Sequence, residues 1–182
     1  MSGVIFSKSY SDFVARLRVP AGFLMVAAFA WFSEPAARSL EIGVPVSLAG
    51  LALRAWAAGH LAKNCTLATS GPYAWLRNPL YIGTLLVALG LAIASRSAGL
   101  AVLFGAVFLL VYLPVVELEE QHLRKLFPEY EAYAARVARF WPTWPAVRPR
   151  EKFRFALYRK NQEYQALAGF LVGFLFLLWK AR

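Results

Sequence analysis

The stretch AGLAVLFGAVFLLVYLPVV, residues 98–116, decides the fold class. It contains no charged residue and runs on without a turn signal into Glu117-Leu118-Glu119-Glu120. A helix needs about 20 predominantly apolar residues to cross a bilayer, and this run has that length. The whole chain shares its character. Of 182 residues, 59% are apolar and only 16% charged, and the mean hydropathy is +0.50. A soluble domain carries about 25% charged residues. A chain so poor in charge has too little polar surface to cover itself in water. The same figures exclude a disordered chain and a collagen-like fibre. A disulfide scaffold is excluded because Cys65 is the sole cysteine.

Working outward, four more apolar runs flank this one. Span one covers about 17–33 and stops at Glu34-Pro35; span two covers about 42–62, with Arg54 inside it. Span three, about 79–95, follows the Asn78-Pro79 step, and 98–116 is span four. Span five, about 166–179, closes the chain, with Trp179, Lys180 and Arg182 as interfacial anchors. The first run lacks a small-residue cleavage site and reads as a retained span rather than a signal peptide. The expected fold is an all-α integral membrane protein with about five transmembrane helices. It forms one multi-pass membrane domain over 1–182.

The net charge of +10 sets the orientation. With the N-terminus in the cytoplasm, fifteen of the twenty Lys and Arg residues fall inside. Arg38, Arg96, Lys180 and Arg182 fall outside, and Arg54 stays in a span. Basic residues favour the cytoplasmic side, so the charge is a topology signal and an attraction to anionic lipid. No nucleic-acid partner is expected. The C-terminus is expected on the side opposite the N-terminus. Glu151 to Lys160 reads as a basic membrane-surface segment leading into span five.

Two polar clusters break the apolar pattern, both on the expected cytoplasmic face. One runs from Thr69-Ser70-Gly71-Pro72-Tyr73 to Arg77-Asn78-Pro79-Leu80-Tyr81-Ile82-Gly83, at the entry to span three. The other is Glu117, Glu119 and Glu120, at the exit of span four. The short turn Ser95–Ala98 joins the two spans as a hairpin, so the clusters must face each other. Carboxylates at a membrane boundary need solvent or a cation, and a sulfonium or ammonium ligand would serve. The start of a helix can hold a carboxylate, Arg77 adds charge, and Tyr73 and Tyr81 offer a stacking surface. Separately, the acids can be an interfacial patch and the aromatics an anchor belt. Together they suit a zwitterionic, ring-bearing ligand such as S-adenosylmethionine. No Gly-x-Gly-x-x-Gly follows a strand, which excludes a Rossmann nucleotide site. No metal site is expected.

These residues resemble the isoprenylcysteine carboxyl methyltransferase family and its phospholipid methyltransferase relatives. The resemblance covers about residues 50–142. It rests on Gly71-Pro72-Tyr73, on Arg77-Asn78-Pro79-x-Tyr81-x-Gly83, and on Glu119-Glu120-x-x-Leu123-x-x-x-Phe127. Tyr130-x-x-Tyr133-x-x-x-Val137 and Arg139-x-x-Pro142 complete it. The resemblance implies a membrane methyltransferase that takes its methyl group from S-adenosyl-L-methionine, bound in a cytosolic pocket over the span-three/span-four hairpin. Carried over by position, the cofactor-binding residues are Cys65, Thr66, Leu67, Ala68, Tyr73, Asn78, Pro79, Leu80, Tyr81 and Glu119, with Glu120 as motif partner. Asn78 stands where the family has His. Val115 stands where the prenylcysteine enzymes have an Arg for the substrate carboxylate, which leaves the methyl acceptor open.

The resemblance implies a lipophilic acceptor entering from the bilayer, either an isoprenylcysteine-type carboxylate or a lipid amine. A carboxylate needs no base; for an amine, Glu120 or His122 can take the proton. His60, near the end of span two, can approach the pocket. Gly169-x-x-x-Gly173 permits close helix approach, within the chain or between two copies. A sterol-type reductase using NADPH and a non-catalytic relative of the fold are the rival readings. Glu119→Gln is expected to weaken donor binding, and Glu163→Gln to leave it unchanged.

Overall fold

The computed structural model describes residues 8–144 and 151–182. Of the basic residues counted above, Arg148 and Arg150, and the side chains of Lys8 and Arg18, lie outside the described part. Within it, every regular element is helical. The helices are α1 Lys8–Phe32, α2 Ala37–Ala58, α3 Pro79–Ala94, α4 Ala98–Leu126, α5 Tyr130–Ala134, α6 Phe155–Lys160 and α7 Tyr164–Lys180. A 3-10 turn, Gly71–Ala74, precedes α3. Local chemistry sets several boundaries. Pro79 opens α3, where its missing N–H costs no helical bond. Ser97 caps α4 by accepting the Leu100 N–H at 3.3 Å.

Helices α2 and α3 form an antiparallel pair along a ladder of small residues. Gly43 and Gly50 on α2 meet Gly90 and Gly83 on α3; a Cβ at Gly50 would lie 2.6 Å from the Gly83 carbonyl oxygen. Ser39 donates its hydroxyl to the Ala94 carbonyl at 2.8 Å, and Ser47 donates to that of Val87 at 3.1 Å. Close backbone approach and hydrogen bonds hold the pair.

Helix α4 contains a π-turn at Phe108–Tyr112, just before Pro114. Pro114 has no N–H for the carbonyl of Leu110, four residues earlier. Tyr10 of α1 supplies the missing donor, its hydroxyl lying 2.9 Å from the Leu110 oxygen. A proline defect in one helix is thus a docking point for another.

The helix ends sort into two groups. At one end the Glu34 N–H reaches the Ser95 carbonyl at 2.7 Å, and Lys180 Nζ reaches those of Ala30 and Trp31 at 3.0 and 3.2 Å. At the other end, Asn161 Nδ2 donates to the carbonyls of Ala58 and Leu61, both at 2.9 Å. The polar clusters lie at this second end.

Among the described residues, two helices, α2 and α4, are long and apolar enough to cross a membrane. Only 28% and 17% of their most apolar windows are buried within the chain, unlike the core helices of a soluble protein. Phe23, Leu24, Val26, Val102 and Val172 are between 67% and 73% exposed, an apolar surface that water does not tolerate. Span one lies within the 25-residue α1, whose apolar part among the described residues is Pro20–Phe32. Helices α3 and α7 have 16 and 17 residues. Sixteen residues span about 24 Å, against a hydrocarbon core of about 30 Å. Among the described residues, two of the five expected spans meet the requirements of length and hydropathy together.

Candidate functional site

The chain between α2 and α3 is shaped by residues that read as turn signals. Gly71 has φ +57°, and a Cβ there would lie 2.7 Å from the His60 ring, so glycine is required twice over. The segment after α4 folds back over this loop. Tyr133 donates its hydroxyl to the Tyr73 carbonyl at 2.8 Å, and the Arg77 N–H donates to the Ala138 carbonyl at 2.9 Å. Thr143 closes the arrangement through its N–H to the Trp75 carbonyl at 2.7 Å. Phe127, Tyr130 and Tyr133 form a buried cluster against Leu67 and Leu123.

The two carboxylates of the Glu119-Glu120 pair have different surroundings. Glu120 is 1% exposed and accepts from Asn78 Nδ2 at 3.0 Å and from Arg139 Nη2 at 2.8 Å. Arg77 Nη1 lies 3.6 Å from the same carboxylate. Glu120 is therefore enclosed by two guanidiniums and ties the α3 entry, α4 and the returning segment together. Glu119 is partly exposed and accepts the Tyr81 hydroxyl at 2.8 Å.

Between these elements lies a cavity of about 310 Å³. Its wall includes Thr66 to Ala68, Tyr73, Asn78 to Tyr81 and Glu119, all candidates named from the sequence. Two candidates are placed elsewhere: Cys65 is exposed off the wall, and Glu120 lies behind it. Of the two histidines, His122 is on the wall and His60 is not. The His60 ring packs below Gly71, with Nδ1 3.0 Å from the Trp56 carbonyl oxygen. Glu117 is buried in α4 and off the wall. Arg77, Tyr130 and Tyr133 are also on the wall, as are Leu61, Lys63, Asn64, Leu123 and Phe127; the tyrosines and Lys63 were unforeseen as site residues. Burial, reinforced by Glu120, pushes the Tyr130 hydroxyl up to about 12. Burial likewise holds Tyr73, near Glu119, and Tyr133, near Tyr130, above the usual range. All three are hydroxyl donors at neutral pH.

A second, apolar cavity of about 620 Å³ lies among α1, α3, α4 and α7. Tyr112, from the π-turn, lines it and meets Tyr81 of the first cavity edge-on, ring centroids 6.3 Å apart. Gly169 and Gly173 also line it. A Cβ at Gly169 would meet nothing within 4 Å, so within the chain this glycine opens space rather than admitting a helix. Thr84, on the same wall, hydrogen-bonds Arg54. Arg54 is paired in turn with Glu163, Nε to Oε1 at 2.5 Å and Nη2 to Oε2 at 3.0 Å. Glu163 is 8% exposed and is not the bystander that a neutral control requires. An arginine inside an apolar run was the signal for this pair, because such a charge needs a partner. Among the described residues, no group of three metal-ligating side chains converges.

The sequence profile described as phospholipid methyltransferase matches residues 44–130, which span α2, the loop, α3 and α4. This segment lies largely within the resemblance read from the motifs. The chain is 38% identical over 103 residues to the cobalt-zinc-cadmium resistance protein CzcN of Cupriavidus metallidurans, covering 56% of this chain and 46% of that protein. It is 30% identical over 141 residues to the nickel-cobalt-cadmium resistance protein NccN of Alcaligenes xylosoxydans xylosoxydans, covering 76% of this chain and 60% of that one. The aligned regions thus span about half or somewhat more of these relatives' length. No solved structure matches the chain.

Proposed function

With residues 44–130 a segment of the isoprenylcysteine/phospholipid methyltransferase family, we propose that this protein methylates a lipophilic acceptor in the membrane, with S-adenosylmethionine as donor. One observation carries the reading: a pocket holding a carboxylate, Glu119, shares an edge with an apolar cavity at the Tyr81–Tyr112 contact. The donor set fits S-adenosylmethionine. Glu119 complements a cation, the buried tyrosines offer ring surface and hydroxyl donors, and a 310 Å³ cavity is within the range of small-molecule sites. When bound, that molecule supplies an electrophilic methyl group on a sulfonium.

The chain's own task is alignment and exclusion of water. Tyr81 fixes the Glu119 carboxylate at the pocket wall. The segment carrying Phe127, Tyr130 and Tyr133 covers the loop and shields the pocket. The apolar cavity receives the acceptor's hydrocarbon, which brings its reactive end to the Tyr81–Tyr112 edge. A lipid amine suits this site better than a carboxylate. Val115 supplies no cation, and Arg54 beside the cavity is already held by Glu163. Glu120, enclosed by Arg77 and Arg139, is poorly placed as a base, whereas His122 is on the wall and can accept the amine's proton. The relatives' names add a setting in which to look for the acceptor: cells resisting cobalt, zinc, cadmium or nickel.

The test is methyl-labelled S-adenosylmethionine incubated with the purified protein and a bacterial lipid extract. Label is expected in the organic phase, and less of it with Glu119→Gln. An unlabelled lipid fraction, together with tight binding of NADPH, would overturn the reading in favour of a reductase.

A further inference from the structure

Two buried polar atoms in the donor pocket, Arg77 Nε and the Tyr130 hydroxyl, make no well-formed hydrogen bond with the rest of the chain, although the two side chains lie against each other. Both side chains line the 310 Å³ cavity, and Tyr130 is only 1% exposed. Buried groups of this kind are nearly always paired, because an unmade hydrogen bond forfeits the water it replaced. Tyr133, its neighbour in the same cluster, has its hydroxyl bonded to the Tyr73 carbonyl. The orphan atoms are therefore not a general property of this cluster.

The local charge balance points the same way. Arg77 and Arg139 both approach Glu120, so two guanidiniums are set against one carboxylate. Arg139 makes the short contacts at 2.8 and 3.2 Å, while Arg77 remains at 3.6 Å. One positive charge is left over, and it belongs to the residue whose Nε is unmatched. A buried cation with a spare N–H beside a spare O–H calls for an anion with two acceptor oxygens.

We propose that Arg77 and Tyr130 form a carboxylate-binding subsite that receives the α-carboxylate of the methyl donor, with Glu119 taking the donor's cationic portion. The inference rests on the methyl-donor reading and specifies how that ligand lies in the pocket. One carboxylate presents two oxygens to two donors, which an adenine edge or a neutral lipid does not match in charge. Since the Tyr130 hydroxyl is pushed up to about 12, it remains a donor throughout the physiological range.

The experiment compares S-adenosylmethionine with decarboxylated S-adenosylmethionine, by equilibrium binding to the full-length protein in detergent. The variants are Tyr130→Phe, which removes only the hydroxyl, and Arg77→Lys, which keeps the charge but loses the Nε–H. Melting temperatures serve as a folding control. The wild type is expected to bind the carboxylated donor at least about tenfold more tightly, as for hydrogen bonds to a charged group. Each variant is expected to lose about tenfold for that donor and little for the decarboxylated one. Equal losses for both ligands, or no loss for either, would overturn the subsite while leaving the donor reading intact. Wild-type protein that binds neither ligand would overturn both.

Discussion

Asn78 Nδ2 donates to Glu120 Oε1 at 3.0 Å, joining the entry of α3 to the exit of α4. The two polar motifs that stand 42 positions apart in the sequence are one structure at this bond. Glu120 is the keystone of that junction, and Glu119, one residue away, faces the pocket instead.

Adjacent glutamates should therefore fail in different ways. Glu120→Gln leaves Arg77 and Arg139 without their counter-charge, and breaking a buried pair costs roughly 3–5 kcal/mol. Discounted for the partial exposure of both arginines, a loss of about 2–3 kcal/mol is expected, read as a lowered melting temperature in detergent. Glu119→Gln should leave the melting temperature within a few degrees of wild type and weaken donor binding about tenfold or more.

The α2/α3 ladder and the apolar cavity make opposite predictions for the same kind of substitution. Gly50→Leu must force the backbones of α2 and α3 apart and should cost at least about 1–3 kcal/mol. Gly169→Leu meets open space and should fold normally. It should nevertheless reduce methyl transfer to lipid, because its side chain enters the acceptor cavity, with donor binding unchanged. Thermal melts and a transfer assay on both variants check this.

Much of this was legible in the sequence. The low charge content and the long apolar runs gave the helical membrane character, and the family resemblance carried over half of the residues that line the pocket. What escaped were pairings between elements distant in sequence. The seven-residue spacings of Gly43 to Gly50 and Gly83 to Gly90 are visible in the text of the chain, yet only three-dimensional packing sets one pair against the other. Arg54 announced a missing partner without naming Glu163, which is 109 positions away. The separate fates of Glu119 and Glu120 follow from which way each faces on α4 and from Arg139, which lies outside the span-three/span-four hairpin.

For the Arg54–Glu163 pair, Glu163→Gln should lower stability by about 1–2 kcal/mol, since one charge is left in apolar surroundings that it partly shares with water. The double replacement Arg54→Met with Glu163→Met should recover much of that loss, because neither charge then lacks a partner. Additive losses in the double variant would show that the two residues do not act as a pair.

Alkaline pH should unfold the protein through its buried tyrosines. Tyr130 ionises near 10 when exposed but near 12 in the folded chain. A pKa raised by folding leaves stability undiminished below pH 10, and stability then falls as pH rises through 12. The melting temperature should be flat around neutrality and drop steeply above pH 10, with a shallower drop in Tyr130→Phe.

The most direct test of the central claim is equilibrium binding of S-adenosylmethionine to the purified protein, measured beside Glu119→Gln and beside NADPH. Saturable binding of S-adenosylmethionine, weakened at least about tenfold by Glu119→Gln and not displaced by NADPH, is the predicted result. Binding of NADPH alone, or of S-adenosylmethionine with no dependence on Glu119, would contradict it.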